Sequence, residues 1–476
     1  MLSQSAQAPA DPPDSYRTLL FGRYALSTWA VCLGVGLHAL TWFMVATVVP
    51  STVIDLGGAR LMGWTMTAYL AASIVAGAAG GWTKRRLGAR TALNLGAAVY
   101  LVGSAIALAA PTMSVVLVGR GLQGLGEGLV VALSYAMVRE IFPSRLVPRV
   151  FGLEAVVWAG SALAGPVVAG LLTGALSWRA AFGVNLVLGA MLIGFVRFGI
   201  PRQVPDAGDA RLPLGRLTLV GGGILVLSLA GNVRQPLVIL AIVAAALGLL
   251  TACVLIDRTA RTPLFPRRAF HPGDVVGRGF WLVVLMPIAS TGLTVYMPLF
   301  VQTLFGFTPT GAGYFATITA LAWSGTAIII ARFQGRRLAD AAIALGPVLQ
   351  AGGMAMVLAG FGAVSVVLIG VGLFAIGSGY GISWAFINQR IMQVADPAEG
   401  DLASALMPTL LSAGSALGAA IAGALANFAG IADPVTADMV HAVSAHLCIG
   451  GLALAGGSVV AGWRFSRVAP QPVPVR

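Results

Sequence analysis

Charged residues are scarce in this sequence, because Asp, Glu, Lys and Arg make up only 9% of its 476 residues. A soluble domain carries about 25% charged residues, so a water-exposed globular fold is excluded. Cysteine and histidine are also few, with three and four residues respectively. The cysteines lie far apart inside apolar runs, and the histidines show no metal-ligand spacing. We therefore expect no disulfide framework, no bound metal and no cofactor.

The sequence also lacks the signatures of nucleotide-driven or enzymatic chemistry. No Gly-x-x-x-x-Gly-Lys-Ser/Thr loop occurs, which argues against transport driven by nucleotide hydrolysis. No pair of Asp-rich motifs, histidine cluster or nucleophile–base set lies in a membrane-facing loop. An integral-membrane enzyme is therefore not expected.

Apolar residues dominate what is present, since 58% of the chain is hydrophobic and its mean hydropathy is +0.90. A helix of about 20 apolar residues suffices to cross a bilayer. We therefore predict an all-α integral membrane protein with fourteen transmembrane helices. The predicted spans lie near residues 25–50, 61–81, 91–110, 113–138, 150–174, 178–197, 214–231, 236–256, 279–302, 312–333, 341–361, 364–392, 402–429 and 441–463.

The net charge of +13 follows the predicted topology and does not indicate nucleic-acid binding. With the N-terminus inside, almost all Lys and Arg fall in inward loops and tails. Arg60, Arg179 and Arg234 fall outside, and Arg120 lies within a span. This asymmetry is the positive-inside rule, so both termini are predicted to be cytoplasmic. The basic excess implies the anionic lipid of the cytoplasmic leaflet as a partner.

The spans form two sets of six that are separated by two extra spans. Residues 25–197 and 279–463 are predicted to be six-helix bundles, and residues 198–278 a linker that carries the two extra helices. Polar residues 1–24 are predicted to be a disordered tail, and residues 464–476 a cytoplasmic tail.

Glycine and proline positions indicate that the two bundles are repeats. Repeated halves predict a site at their interface near the midplane of the membrane, with alternating access by rocking of one half against the other. A channel is the less favoured alternative. The repeated positions at one constant offset are Pro50, Gly58 and Gly63 after span 1, and Pro298, Gly306 and Gly311 after span 9.

Span 4 carries polar groups where lipid tolerates few. Arg120, Gln123 and Glu127 lie within Met113–Val138 at a spacing that places all three on one helical face. Each ionised group near the bilayer centre costs roughly 2.5–3.5 kcal/mol. That face is predicted to look into protein or water, and Glu127 is a candidate for loading and releasing a proton. A structural, hydrogen-bonded Glu127 is the alternative.

The loop between spans 2 and 3 runs from Gly81 to Arg90 and is strongly basic. Gly81 and Gly88 allow tight turns, while the basic groups Arg85, Arg86 and Arg90 are candidates to bridge to acids on neighbouring spans in one conformation. The alternative is that these arginines serve only the positive-inside rule. The candidate acids for this latch are Glu140 and Glu154 on spans 4 and 5.

Span 5 contains a Gly-Pro pair within a run of small residues. Gly165 and Gly170 allow close approach of another helix, and Pro166 removes a backbone hydrogen bond and bends the span. With the Arg-x-x-Gln-Gly-x-Gly run of span 4 and the basic loop, this motif resembles the major facilitator superfamily. The resemblance is to its fourteen-span branch of bacterial drug:proton antiporters and covers residues 25–463.

The resemblance implies a proton-coupled exporter in the bacterial inner membrane, with two six-helix repeats and two extra central spans. It implies a role for Arg120 in proton coupling, and the motif of Gly165, Pro166 and Gly170 favours efflux. The basic loop departs from the family pattern, because Arg85 occupies the position of an aspartate.

Span 1 departs most from the pattern of the branch. Aligned on Pro50, Thr41 stands where many members carry a buried aspartate. His38, three residues earlier, is the nearest titratable substitute, and histidine titrates near neutral pH. We predict that His38 shares proton handling with Glu127 if spans 1 and 4 face each other. The alternative is that His38 has only a structural role.

By repeat symmetry, spans 1, 4, 9 and 12 are predicted to line the substrate cavity. Aromatic walls with a few polar groups suit an amphipathic organic solute. Interfacial anchoring is the alternative for Tyr296 and Trp384. The predicted cavity residues are Thr41, Trp42, Gln123, Tyr296, Trp384 and Asn388.

The function predicted from these features is export of drug-like amphipathic compounds in exchange for protons, by a monomer. A proton that binds Glu127 would loosen its pairing with Arg120 and bias the equilibrium between inward-open and outward-open states. The alternatives are a lipid or siderophore exporter, or an uncoupled facilitator, of the same fold.

Overall fold

The computed structural model describes residues 16–143, 145–202, 213–230, 233, 235–260, 263–271, 273–333, 335–394 and 400–467. Within these ranges the regular structure is helical and contains no strand. Fourteen long helices follow one another, and they are numbered here in chain order. They are α1 (Ala25–Leu56), α2 (Met62–Leu87), α3 (Ala89–Leu108), α4 (Met113–Ile141), α5 (Val147–Ala175), α6 (Arg179–Gly199), α7 (Leu214–Leu229), α8 (Pro236–Arg258), α9 (Val275–Phe305), α10 (Pro309–Ile330), α11 (Arg336–Gly362), α12 (Val366–Val394), α13 (Gly400–Phe428) and α14 (Ala437–Ser466).

Thirteen described helices are long and apolar enough to cross a membrane, and α7 is shorter, with 16 residues. A helix of that length spans about 24 Å at 1.5 Å per residue, somewhat less than the hydrocarbon core of about 30 Å. The predicted all-α membrane fold is confirmed, and the fourteen predicted spans match these fourteen helices. The protein is a multi-pass membrane protein.

Helix packing repeats between the first six and the last six helices. In the first set α1 packs on α5, α2 on α4, α3 on α4 and α3 on α6. The same pairs recur eight helices later, as α9 with α13, α10 with α12, α11 with α12 and α11 with α14. Contacts between the sets obey the same relation, because α2 packs on α13 and α5 on α10. The halves are therefore related by an approximate two-fold axis.

Glycines allow the two halves to approach closely at one end of the bundle. A Cβ atom on Gly63 of α2 would lie 2.8 Å from the Gly423 Cα of α13. The equivalent position on the other side of the axis is Gly170 of α5, where a Cβ would lie 2.5 Å from the Thr310 Cα of α10. Both contacts lie near the end at which α1 finishes, named here the opposite side. The end at which α1 begins is named the basic side.

Hydrogen bonds between loops of the two halves close the opposite side further. Asp433, between α13 and α14, accepts hydrogen bonds from the backbone N–H groups of Gly58 at 2.7 Å and Ala59 at 3.2 Å. The Asn427 side chain donates to the Arg60 carbonyl at 3.1 Å. The structure is therefore a conformation in which the halves are joined on the opposite side.

The two extra helices form a hairpin at a junction of the halves. α7 packs on α8, on α2 and on α13. Their basic-side ends are joined by an ion pair between Arg216 and Asp257, and Asp257 also accepts hydrogen bonds from the backbone N–H groups of Leu264 and Phe265. Asp257 is 1% exposed, so these partners supply the stabilisation that burial removes.

The predicted disordered tail requires a correction. Residues 1–15 lie outside the described residues, but Tyr16–Leu20 form a short helix. Leu19 is fully buried and packs into the apolar core of the first six helices. This helix forms because one apolar side chain reaches the core, which the polar composition of the tail did not indicate. At the other end, α14 continues to Ser466, into the predicted tail.

Gly126→Ala and Gly121→Ala form a matched pair that tests the packing of α4. A Cβ on Gly126 would overlap the backbone of α3 at Tyr100 and Gly96, whereas a Cβ on Gly121 meets nothing within 4 Å. We expect Gly126→Ala to destabilise the protein by about 1–3 kcal/mol, the usual cost of overpacking. Thermal unfolding of the detergent-purified protein measures this. Equal melting temperatures for the two variants would contradict the close approach of α4 to α3.

Candidate functional site

A histidine and a glutamate from different helices meet inside the first half. His38 lies near the middle of α1 and Glu127 at the middle of α4. The His38 Nδ1 atom lies 2.6 Å from Glu127 Oε1, and the two side chains are 14% and 1% exposed. Neither carboxylate oxygen of Glu127 has a partner with hydrogen-bond geometry among the described residues, so the contact with His38 is a close charge pair. The structure thus brings together two of the three predicted proton-coupling residues.

Tyr69 of α2 separates this pair from the third predicted residue, Arg120. The Tyr69 hydroxyl lies 3.0 Å from His38 Nδ1, and the two rings stack with centroids 6.0 Å apart. On the same tyrosine, the Arg120 guanidinium carbon lies 3.9 Å from the ring centroid, a cation–π contact. Gly124 of α4 permits this arrangement, because a Cβ there would collide with the Tyr69 carbonyl.

Arg120 is fully buried and is held by neutral groups. Its Nε donates to the Thr65 carbonyl at 3.1 Å and its Nη1 to Gln123 Oε1 at 2.8 Å. Gln123 in turn donates to Ser104 of α3 at 2.8 Å. Among the described residues Arg120 forms no ion pair, so Arg120 and Glu127 are not directly paired in this conformation. The reason is tertiary: Tyr69 occupies the space beside Arg120, and His38 faces Glu127.

The short contact between His38 and Glu127 suits a single proton held between Nδ1 and Oε1. A neutral imidazole nitrogen is a donor or an acceptor according to its tautomer, and a carboxyl donates only when protonated. A proton on Nδ1 lies close to the carboxylate, and a proton on Oε1 lies close to the ring nitrogen. Either arrangement holds α1 to α4. Protonation of both groups weakens the contact, because an imidazolium then faces a neutral carboxyl, and removal of the proton between the two atoms leaves two acceptors facing each other. The geometry therefore links protonation to helix contact.

Two predicted cavity residues are enclosed within the first half. Thr41 is fully buried, and its hydroxyl lies 2.6 Å from the Tyr100 hydroxyl of α3. Gln123 is fully buried between Arg120 and Ser104. In this conformation both residues join α1, α3 and α4 and do not face the junction of the halves. Thr41 therefore forms a neutral hydrogen bond at the position where the family resemblance leads one to expect an acid.

Aromatic side chains surround His38, and one of them was missed by sequence reasoning. Its ring lies 6.3 Å from that of Trp42 and 5.5 Å, edge to face, from that of Trp158 on α5. Trp158 follows Glu154 by one helical turn. The sequence signal that could have identified Trp158 is its position in the span that also carries the Gly-Pro pair.

The second half contributes a matching aromatic group. Trp323 of α10 stacks on Tyr380 of α12 at 4.7 Å and meets Trp384 edge to face at 5.8 Å. Trp384 and Asn388, two predicted cavity residues, are partly buried, and Asn388 donates to the Trp384 carbonyl at 2.8 Å. The third predicted residue here, Tyr296, is fully buried against Phe300. Trp323 and Tyr380 were not predicted, because neither belongs to a repeated motif.

The second half also has a polar cluster, equivalent in place to the one around Thr41. The Ser290 hydroxyl of α9 lies 3.0 Å from the Tyr380 hydroxyl, and Gln350 of α11 donates to the Met286 carbonyl at 2.7 Å. These helices correspond to α1, α3 and α4 of the first half. The cluster contains no Asp, Glu, His, Lys or Arg, so the buried charges described near mid-membrane belong to the first half.

The predicted latch residues on the basic side are only partly brought together. Gly88 ends α2 with a φ of 76°, a conformation that favours glycine. Glu140 forms an ion pair with Lys84, which the prediction left out. Glu154 does not take part in a latch, because it is 3% exposed and neither carboxylate oxygen has a hydrogen-bond partner among the described residues.

The predicted arginines lie at the surface of the basic side. Arg85 and Arg86 are exposed, and the Arg86 guanidinium carbon lies 5.9 Å from the Trp82 ring centroid. Arg90 lines a cavity of about 420 Å³ together with Arg197 and Arg202. Gly81 has no neighbour within 4 Å of an added Cβ, so its predicted tight turn is wrong: α2 continues through it to Leu87.

The Gly-Pro motif of span 5 lies between the two halves, as its small residues require. A Cβ on Gly165 would lie 2.8 Å from the Phe43 Cβ of α1. On the other face, a Cβ on Gly313 of α10 would lie 2.6 Å from the Pro166 Cβ. Together with the contact at Gly170, these packings place α5 directly between α1 and α10.

Tyr69→Leu and Tyr69→Phe test the role of the ring beneath Arg120. Tyr69→Phe keeps the aromatic face, so we expect it to retain most of the stability. Tyr69→Leu removes that face and leaves a buried cation, with an expected loss of about 2 kcal/mol, the value of a desolvated cation–π contact. Thermal unfolding of the purified variants measures the difference. Equal melting temperatures would show that the ring does not stabilise the guanidinium.

Comparisons with known proteins agree with this architecture. A family model described as Major Facilitator Superfamily matches residues 31–419. A protein named probable multidrug-efflux transporter, from Mycobacterium tuberculosis H37Rv, is 31% identical over 437 residues, which cover 88% of this chain and 91% of that protein. The multidrug transporter protein MdtP of Bacillus subtilis is 26% identical over 304 residues, covering 61% of this chain and 54% of that protein.

Solved structures share the fold at low sequence identity. A crystal structure of peptide transporter POT in complex with sulfate superposes with a TM-score of 0.69 at 14% identity, covering 94% of this chain and 96% of that one. A crystal structure of a D-xylose-proton symporter gives a TM-score of 0.64 at 16% identity, covering 93% and 98%. These likenesses concern the fold alone.

Proposed function

The chain belongs to the major facilitator superfamily, and on that premise we propose that it exports drug-like amphipathic compounds across a bacterial inner membrane in exchange for protons. That it is a membrane transporter and not an enzyme follows from the family itself. Efflux is supported by the name of the Mycobacterium tuberculosis relative, a probable multidrug-efflux transporter, and drug-like substrates are supported also by that of the Bacillus subtilis relative, a multidrug transporter protein.

The contact between His38 and Glu127 is the observation that carries the proposed proton coupling. Ionisable groups inside a membrane are costly and are usually retained for function. This pair lies 2.6 Å apart on two different helices, so its protonation changes a helix contact. The pseudo-equivalent cluster of the second half is neutral, which leaves the first half as the place where protons act.

In the proposed cycle, the strength of the contact between α1 and α4 depends on how many protons His38 and Glu127 hold together. With one shared proton, His38 and Glu127 attract each other and α1 stays against α4. A second proton makes an imidazolium beside a neutral carboxyl, and the counter-charge is lost. Arg120, on the far face of Tyr69, adds further repulsion to that state, while Tyr69 and Tyr100 remain neutral. Proton loading thus weakens the packing of α1, which also contacts α5 and α10 at the junction of the halves.

We propose that substrate binds between the aromatic groups of the two halves. His38, Trp42 and Trp158 stand on one side, and Trp323 and Trp384 on the other. Aromatic faces contribute contact area and adapt to ligand shape, which suits amphipathic organic compounds. Thr41, Gln123 and Tyr296 would reach substrate only in another conformation, because they are enclosed here.

The proposed organisation is that of a monomer with two rocking bundles, residues 25–197 and 279–463, joined by the linker 198–278. The basic side faces the cytoplasm in this proposal, because Arg85, Arg86 and Arg90 lie there. The structure would then be closed towards the outside. Opening outwards would break the hydrogen bonds of Asp433 and part the glycine contacts between α2 and α13 and between α5 and α10.

Glu127→Gln and His38→Gln test the coupling site. In proteoliposomes that hold ethidium as an amphipathic probe, we expect both variants to lose ethidium transport driven by a pH gradient. Exchange of ethidium without a gradient should persist, because substrate binding and helix rocking do not need the shared proton. Asp438→Asn, which changes an exposed acid in the first turn of α14, is the control and should behave as wild type.

Two outcomes would contradict the proposal. Full gradient-driven transport by Glu127→Gln excludes Glu127 as the coupling site. Wild-type transport that ignores the pH gradient indicates an uncoupled facilitator. A growth screen in an efflux-deficient strain, which records the compounds that become tolerated on expression, defines the substrate class and separates drug export from lipid or siderophore export.

Asp433→Ala tests the proposed outer gate. Its carboxylate accepts two backbone hydrogen bonds across the halves, and hydrogen bonds to charged groups are worth about 1.5–3 kcal/mol each. We expect the variant to populate the outward-open state more, so that a cysteine at Thr310, on a background without native cysteines, reacts faster with an impermeant maleimide. Asp438→Ala, in the first turn of α14, is the control. Unchanged labelling in Asp433→Ala would rule out the gate.

A further inference from the structure

Glu154 is a buried acid that the proposed coupling site does not use. It lies two turns into α5, is 3% exposed, and neither of its carboxylate oxygens has a hydrogen-bond partner among the described residues. Burying an ionised carboxylate without a partner is costly. A side chain of this kind is either neutral when buried or changes its charge during function.

Three other acids of the described chain differ from Glu154 in having cations beside them. Asp257 pairs with Arg216, Asp340 with Arg390 and Glu140 with Lys84. Each of these acids therefore has a structural role as one member of an ion pair. Glu154 forms no such ion pair in the part of the chain that the structure describes, so a structural role by charge pairing does not account for it.

Two weak acids on neighbouring helices lie near Glu154. Cys32 of α1 and Tyr135 of α4 interact electrostatically with it. Both are neutral in ordinary conditions, and neither supplies a positive charge. The pair formed by His38 and Glu127 lies further towards the middle of the membrane.

The position of Glu154 connects that pair with the basic side. Trp158, one turn away on α5, contacts the His38 ring. On α4, Tyr135 follows Glu127 by eight residues, which is about 12 Å along the helix towards the basic side. Between these levels the Ser134 side chain is wedged against α1, where a Cβ on Gly34 would collide with its hydroxyl. Ser134 and Tyr135 are thus polar side chains of α4 between the levels of Glu127 and Glu154, while Val130 and Val157 pack against α1 nearby.

We propose that Glu154 is a second proton-binding site, which receives the proton that leaves the His38–Glu127 pair and releases it on the basic side. The proton leaves Nδ1 or Oε1, crosses by the hydroxyls of Ser134 and Tyr135 or by water, and binds a carboxylate oxygen of Glu154. Its loss to solvent returns Glu154 to the carboxylate and completes the transfer. The role in transport rests on the proposed proton coupling, but the binding of a proton at Glu154 does not.

Infrared titration of the detergent-purified protein tests proton binding without any substrate. We expect one carbonyl band of a protonated carboxylic acid that titrates in wild type, persists in Glu140→Gln and is lost in Glu154→Gln. Glu154→Asp should restore a band at a shifted frequency. A wild-type spectrum in which Glu154→Gln removes no titrating band overturns the proposal.

Ethidium transport in proteoliposomes tests the role of the second site. Glu154→Gln should retain exchange without a gradient but lose gradient-driven transport together with its dependence on the pH of the basic side, and Glu154→Asp should recover part of both. Loss of gradient-free exchange in Glu154→Gln would show a structural role and overturn the proposal, as would an unchanged pH profile. If wild type itself ignores the gradient, the proposed coupling fails, and the infrared result still decides whether Glu154 binds a proton.

Discussion

A charge placed inside a membrane-spanning bundle must find its stabilisation within the bundle, because lipid offers none. In this protein the constraint determines how the helices of the first half meet. Arg120 takes the face of Tyr69 and the oxygens of Thr65 and Gln123. His38 and Glu127 pair with each other. The bond from Arg120 to Gln123 lies within α4, but the other contacts each join two different helices. Satisfying the charges therefore also fixes the packing of α1, α2 and α4.

Close helix approach makes these contacts possible. The glycines of α4 bring its backbone against α2 at Tyr69 and against α3 at Tyr100, so side chains of three helices reach one point. Because Gly63 and Gly170 also lack a side chain, the two halves come into contact on the opposite side. Packing is shared by both halves, but buried charge near mid-membrane is not, because the ion pair of the buried Arg390 with Asp340 in the second half lies near the basic side. The two-fold relation between the halves therefore accounts for the rocking motion that we propose. The difference in mid-membrane charge between the halves accounts for why protons would act in the first half.

Much of the fold followed from the sequence, since length, hydropathy and repeated glycines and prolines do not depend on distant contacts. The fourteen helices and the special nature of span 4 were predictable for this reason. The candidate site was predictable only in part. His38 and Glu127 were named, but the expected partner of Glu127 was Arg120, because sequence spacing shows which groups share a helix face and not which groups of other helices lie opposite.

The sequence by itself determined that this chain is a membrane bundle of two repeated halves with rare charges in α4, because burial in lipid selects composition span by span. Only the tertiary structure decided that Tyr69 separates Arg120 from Glu127, that Thr41 is enclosed, and that Glu154 lies buried without a cation. These outcomes depend on side chains from helices far apart in sequence filling the same small volume. The pairing of the buried charges is therefore a property of the packing and not of any one span.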